Sequence, residues 1–200
     1  PPDGPAKGAP AAEWAQADAP RPVVDGRFTS RPGVFAWDRI DAASRLLVEH
    51  LPRDLAGRAA DLGAGYGYLG AELLTRCPAI AAVDLYEAER RALDLARVNL
   101  APFADRVALQ FHWHDVTRGI AGGYDVIVCN PPFHAQGRGD RPDIGRRFIA
   151  VAAQALKPGG RLWLVANRHL PYEAELDAHF GRVRTVAQEG GFKIVEAVRA

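Results

Sequence analysis

The stretch "AADLGAGYGYLGAELL", residues 59–74, places four glycines within eight positions (63, 65, 67 and 70), directly after a run of small apolar residues. Glycines at this spacing let the backbone adopt dihedrals closed to other residues and lie close against a ligand. Residues 58–65 therefore read as a short strand running into a glycine turn, and residues 68–77 as the helix that follows. The alternation continues in both directions. Upstream, "RIDAASRLLVEHL" (39–51) carries apolar residues at helical spacing and stops at Pro52. Downstream, "AIAAVDL" (79–85) is a strand, "EAERRALDLARVNL" (87–100) a helix and "VALQFHW" (107–113) a third strand. "YDVIVCN" (124–130) is apolar enough for a strand buried on both faces. "IGRRFIAVAAQAL" (144–156) is a helix stopped by "KPGG", and "RLWLVAN" (161–167) is a fifth strand. Residues 182–200 read as two strands joined by a Glu-Gly-Gly turn. Strands alternating with helices predict an α/β doubly wound sheet, mostly parallel, with a terminal antiparallel hairpin. No internal repeat is visible.

Two hundred residues make one domain with a sizeable core. A chain 48% hydrophobic and 24% charged has the balance of a soluble globular protein, which sets aside fibrous and disordered classes. No apolar run approaches a membrane span, and no charged-then-apolar leader opens the chain. Cys77 and Cys129 lie far apart without C-x-x-C spacing, so neither a disulfide framework nor a metal site is expected, and a cytoplasmic setting is the default. Residues 1–22 are almost wholly Pro, Ala and small polar residues and read as a flexible tail or linker, with Trp14 a candidate docking point and the domain proper at 23–200. The chain opens at Pro1 and contains no methionine, so it is expected to be a fragment or trimmed product.

Two ligands compete for the glycine loop. Gly65, Gly67 and Gly70 satisfy G-x-G-x-x-G, the dinucleotide fingerprint. From Asp61 the same residues read D-x-G-x-G-x-G, with Gly63, Gly65 and Gly67, the loop that binds S-adenosylmethionine (SAM). In either case the ligand lies across the carboxyl ends of the strands, and the helix N-terminus favours a negative group. Asp84, directly after an apolar strand, is the preferred acceptor for both ribose hydroxyls, with Glu87 a second candidate. Two features favour SAM. A carboxylate at Asp61 can face the ligand's ammonium but repels a pyrophosphate. "CNPPFH" (129–134) ends the fourth strand on the same rim. There Pro131 and Pro132 fix the backbone, Asn130 and the Pro131 carbonyl offer rigid acceptors for both hydrogens of a planar amine, and Phe133 offers a stacking face.

D-x-G-x-G-x-G followed by N-P-P-[YF] resembles the signature of class I SAM-dependent methyltransferases that modify amino groups. The longer match is to bacterial ribosomal RNA guanine-N2 methyltransferases of the RsmC and RlmG type. It covers residues 32–200 and rests on "GVFAWDRIDAASRLL" (33–47), "NPPFH" and "LKPGGRLWLVANRHLPYEAEL" (156–176). This chain departs from the family's pattern at Ala43, where the family has glycine, which leaves the role of Ser44 beside the ligand open. The resemblance implies a Rossmann-like class I sheet, SAM as cofactor, and methylation of the N2 amine of a guanosine in ribosomal RNA or an assembled ribosomal subunit. It also implies a second, preceding methyltransferase-like half.

The resemblance further implies that the target base leaves its stack to reach the pocket and that most of the acceleration comes from positioning. Asp115 stands where such enzymes hold the adenine amine, or is a helix cap or loop acid. Tyr66 or the region of Trp113 is expected to flank the adenine. His134, Arg138, Arg141 and Arg168 (with Arg146, Arg147 and His169) form a basic rim suited to phosphate, or a solvated surface. Three other readings stay open. The same chemistry serves a release-factor glutamine or adenine N6. A non-catalytic RNA-binding module is a second reading, and a nicotinamide oxidoreductase is the most distant.

Overall fold

The computed structural model describes residues 16–132 and 142–200. Nine strands and five helices can be followed among them. A short antiparallel hairpin, β1 (Arg21–Val23) and β2 (Phe28–Ser30), precedes α1 (Ala42–His50). There follow β3 (Gly57–Leu62), α2 (Tyr68–Arg76), β4 (Ile80–Glu87), α3 (Arg90–Leu100) and β5 (Ala108–Trp113). Then come β6 (Tyr124–Cys129), α4 (Pro142–Ala155), β7 (Leu156–Asn167), α5 (Glu173–His179), β8 (Arg182–Glu189) and β9 (Phe192–Val198).

Seven strands form one sheet in the order β5-β4-β3-β6-β7-β9-β8. The first five are parallel, and β9 enters antiparallel between β7 and β8. This is the doubly wound sheet with a terminal hairpin that the alternation predicted. The order reverses at β3: the chain winds outward to β4 and β5, then returns to lay β6 on the other side. A crevice opens above the carboxyl ends of β3 and β6, the usual ligand position in such sheets.

One face of the sheet is covered by α1, α2 and α3, with Leu47, Leu73 and Leu93 packed against Val83, Val126 and Trp163. The other carries α4 and α5, with Ile149, Val151 and Leu176 against Ala60, Ile127 and Leu162. β6 is buried on both faces except at Asp125, as its apolar run implied. The α4–α5 contact is tight at Gly145, where an added Cβ would overlap the ring and hydroxyl of the fully buried Tyr172. Gly145→Ala is therefore expected to destabilise the fold by about 1–3 kcal/mol through overpacking, despite alanine's better helix propensity. A thermal melt several degrees below wild type checks this.

The N-terminal boundary differs from expectation. Residues 1–15, including Trp14, lie outside the described residues, but Arg21 and Pro22, assigned to the linker, are in β1. Phe28 is buried edge-on against Tyr66 and Tyr68, each 5.7 Å away between ring centroids. Asn99 of α3 accepts from Thr29 N (2.7 Å) and donates to the carbonyls of Thr29 (2.9 Å) and Tyr66 (2.8 Å). The hairpin is thus tied to the glycine loop itself.

Candidate active site

Strand pairing brings the two sequence motifs together. Leu62 is the register partner of Cys129, so the glycine loop after β3 and Asn130 after β6 leave the sheet side by side. Gly63, Gly65 and Gly67 all have positive φ (75°, 55° and 91°), which side chains rarely adopt. A Cβ on Gly65 would meet nothing within 4 Å, so this part of the loop faces open space, whereas one on Gly67 would strike Leu100 and Ala96 of α3. Gly65 leaves room for a ligand and Gly67 permits helix packing.

Above the loop lies a cleft of about 760 Å³ lined by Gly63, Gly65, Glu87, Asp115, Asn130 and Pro131, among others. Pro132, Asp143, Arg147 and Phe148 also line it, and Tyr86 and Val116 add apolar wall. A smaller cavity of about 60 Å³ adjoins it between the lead-in to α1 and the start of α2, and Phe35, Gly63, Gly65 and Asn130 belong to both. Phe35 is 65% exposed at this junction, beside Ala36 at φ +48°.

The structure places Asp84, the preferred acceptor in the sequence, away from the cleft. Asp84 is 2% exposed and does not line the cleft. Its carboxylate accepts from Arg58 Nη2 (2.7 Å) and Nε (2.9 Å) and from His112 Nε2 (2.7 Å). His112 stacks on Tyr86 at 4.4 Å, and the Tyr86 and Tyr124 hydroxyls meet at 2.7 Å. Asp84 therefore anchors a polar network beneath the cleft floor. The strand runs three residues beyond Asp84, and the acid at its tip is Glu87, which lines the cleft. Glu87 accepts from Gly65 N (2.7 Å) and Glu89 N (2.8 Å), leaving further lone pairs for a ligand.

Asp61 is also placed differently. It is fully buried under the loop, lines neither cavity, and accepts from Gly70 N in the first turn of α2 at 2.9 Å. The N-cap position, Gly67, has no side chain to offer, so Asp61 caps the helix from the strand below. Its Oδ1 has no hydrogen-bond partner among the described residues, and burial, with the nearby Glu87 adding to it, pushes the carboxyl up to about 7 from the ordinary 3.8 despite the Gly70 bond. A carboxyl raised in the folded state contributes stability below pH 4 that is lost as pH rises through 7. The wild-type melting temperature is expected to fall from pH 5 to pH 8, and Asp61→Asn to flatten that slope. In that window the depressed carboxylates are already charged, so the difference between the two proteins isolates Asp61.

Asn130 donates its two Nδ2 hydrogens to Asp41 Oδ2 (3.0 Å) and Ser44 Oγ (2.9 Å). Asp41 also caps α1, accepting from Ser44 N at 2.9 Å. Sequence reading left Ser44 open and missed Asp41. Cys129, 1% exposed, points its thiol at the Leu62 carbonyl (3.6 Å), and burial raises its pKa well above the usual range, as fits a small buried residue. Asp115 lines the cleft while Oδ1 caps the 3₁₀ turn 116–118, accepting from Thr117 N (2.9 Å) and Oγ1 (2.7 Å), bonds that lower its pKa. Tyr66 is buried and donates to the Arg39 carbonyl (3.1 Å), and it lines only the smaller cavity. Trp113 is exposed outside the cleft, donating to Ala88 O at 2.9 Å. Neither side chain lines the larger cleft, but the region of Trp113 does, through His114, Asp115 and Val116. Arg168 is exposed after β7 and lines neither cavity, whereas Arg147 lines the larger one with Nε on Thr117 O (2.8 Å). Phe133, His134, Arg138 and Arg141 lie outside the described residues. Among the described residues no group of three or more His, Cys, Asp or Glu is placed to hold a metal, and no helix is long and apolar enough to cross a membrane.

A sheet reversing at β3, a glycine loop ringed by acids and an Asn-Pro-Pro strand end together define a Rossmann-like methyltransferase domain. The chain belongs to the family described as the methyltransferase small domain, whose model matches residues 25–196. It is 39% identical over 168 residues to ribosomal RNA small subunit methyltransferase C of Hahella chejuensis, covering 84% of this chain and 48% of that protein. To ribosomal RNA large subunit methyltransferase G of Alcanivorax borkumensis it is 35% identical over 190 residues, covering 93% and 48%. Among solved structures it resembles the T. thermophilus 16S rRNA N2 G1207 methyltransferase (RsmC) in complex with AdoMet and guanosine. The TM-score there is 0.73 at 32% identity, covering 91% of this chain and 50% of that one. The chain thus spans about half the length of the curated relatives it matches.

Proposed function

We propose that this chain is the catalytic half of an enzyme that transfers a methyl group from SAM to the N2 amine of a guanosine in ribosomal RNA. The observation that carries the reading is an acid-ringed glycine cleft shared with Asn130 and Pro131. Glu87, Asp115 and Asp143 line it, and Asp41 lines the adjoining cavity. Even with Arg147 on the same wall, these acids favour a cationic ligand rich in hydroxyl and amine donors over a pyrophosphate, which argues against the nicotinamide reading. The open face of Gly65 gives that ligand room.

Glu87 would accept from the ribose hydroxyls and Asp115 from the adenine amine, with Ala88 and Val116 along the ring. Gly63 to Gly67 would lie along the methionine end, whose carboxylate the N-terminus of α2 favours. SAM, when bound, would supply an electrophilic methyl group that a neutral amine can take as the methyl–sulfur bond breaks and a neutral thioether leaves, with the amine's surplus proton passing to water. Asn130 Oδ1 and the Pro131 carbonyl accept the two hydrogens of the guanine amine and hold its nitrogen toward the donor. Phe133 is assigned the stacking face. Arg147, held at Nε and exposed on the cleft wall, offers its remaining donors to the phosphate backbone, a task the sequence also proposes for Arg138, Arg141, Arg168 and His134.

Ribosomal RNA, free or in a subunit, is the partner in this reading, with a preceding methyltransferase-like half and a cytoplasmic setting. The test incubates radiolabelled SAM with undermethylated small subunits, large subunits, protein-free ribosomal RNA and a release factor. Label in one ribosomal RNA and none in the release factor is the expected result. Label in the release factor moves the substrate to a glutamine amide, and no label in any arm despite SAM binding leaves a non-catalytic module.

A further inference from the structure

An asparagine can present either end of its amide to a ligand, and the two ends select opposite chemistry. The geometry points to Asp41 and Ser44 as positioning residues that lock Asn130 with its oxygen toward the cleft, so that the site takes an amine and refuses a carbonyl edge. The consequence for catalysis rests on the methyl-transfer reading, but the geometry does not.

Asp41 decides the orientation. Its Oδ2 lies 3.0 Å from Asn130 Nδ2 across 89 residues of sequence. An ionised carboxylate only accepts, so a reversed amide would set two acceptor oxygens against each other in a partly buried site. Ser44 Oγ, at 2.9 Å, takes the second hydrogen. With both amide hydrogens engaged, Oδ1 is the part of the side chain left for substrate.

The clamp is itself rigidly held. The same Asp41 oxygen accepts from Ser44 N at the start of α1, and α1 is pinned to the sheet by Leu46 and Leu47, 8% and 0% exposed. On the other side, Pro131 and Pro132 restrict the backbone after Asn130. The lead-in segment therefore acts on chemistry through a residue it does not adjoin in sequence, which gives the aspartate and serine before "RLL" a function beyond capping a helix.

The test compares Asp41→Asn and Ser44→Ala with wild type. Asparagine caps a helix about as well as aspartate, but it can donate as well as accept, so it removes the preference for one amide orientation while keeping the cap. In nuclear magnetic resonance of the ligand-free protein, the Asn130 side-chain protons, assigned by their loss in Asn130→Ala, should be resolved and slow to exchange with water. Asp41→Asn should shift them and speed their exchange. In the methylation assay Asp41→Asn should lower kcat roughly 10- to 100-fold and Ser44→Ala roughly 10-fold. Melting temperature should stay near wild type in both variants, SAM affinity should stay near wild type in Ser44→Ala, and Ser44→Thr should restore the rate. Fast-exchanging Asn130 protons in wild type, or full kcat in Asp41→Asn, overturn the clamp. If wild type transfers no methyl group to any ribosomal substrate, the functional reading fails and the resonance experiment alone still decides the clamp.

Discussion

Asn130→Ala is expected to reduce methyl transfer by about 10²- to 10³-fold, the cost of losing one preorganised polar contact at a reacting group, while SAM still binds. The side chain lines the cleft, and the acids that would hold the ligand, Glu87 and Asp115, are on other elements. Truncation removes an acceptor for the amine and frees Asp41 and Ser44, which can rehydrate. Rapid-quench kinetics with labelled SAM, set beside calorimetric SAM binding, separate the two effects. A large loss of SAM affinity in place of the rate loss would move Asn130 from the substrate to the cofactor.

The second large effect separates two acids three residues apart. Glu87→Ala should weaken SAM binding about 100-fold, since hydrogen bonds to a charged acceptor contribute roughly 1.5–3 kcal/mol each. The substitution also releases the amide of Gly65 that Glu87 holds at 2.7 Å. Asp84→Ala should do the reverse. It strips Arg58 and His112 of their shared partner and lowers the melting temperature, with a far smaller change in SAM affinity. Calorimetry and thermal melts on the two variants check the pair, and the opposite ranking would restore Asp84 as the ribose acid.

What was legible in the sequence was whatever local chemistry determines. The glycine loop, the buried run of β6 and the Asn-Pro-Pro end each announce themselves within a few residues, and placing them on one rim needed only the rule for parallel sheets. What was not legible depended on partners far along the chain. Asp84 looks like a strand end because it is charged after an apolar run, yet Arg58 and His112, 26 and 28 residues away, satisfy it inside the sheet. With the charge neutralised there, Leu85 and Tyr86 continue the strand as buried residues, 0% and 4% exposed. Asp61 precedes the glycines as an ammonium-binding acid would, but Gly67 leaves the helix start without a cap and Asp61 supplies one. Asp41 reads locally as an N-cap, and nothing near it in sequence points to Asn130. The β1–β2 hairpin is too short, at three residues per strand, for any periodicity to register.

The measurement that bears most directly on the central claim is the nucleoside analysis of ribosomal RNA methylated in vitro, with wild type and Asn130→Ala run side by side. N2-methylguanosine identified by mass spectrometry in the wild-type reaction and missing from the variant is the result expected of an acceptor pair at Asn130 and Pro131 beside a SAM cleft. Label recovered as N6-methyladenosine, or equal N2-methylguanosine with and without Asn130, would contradict it.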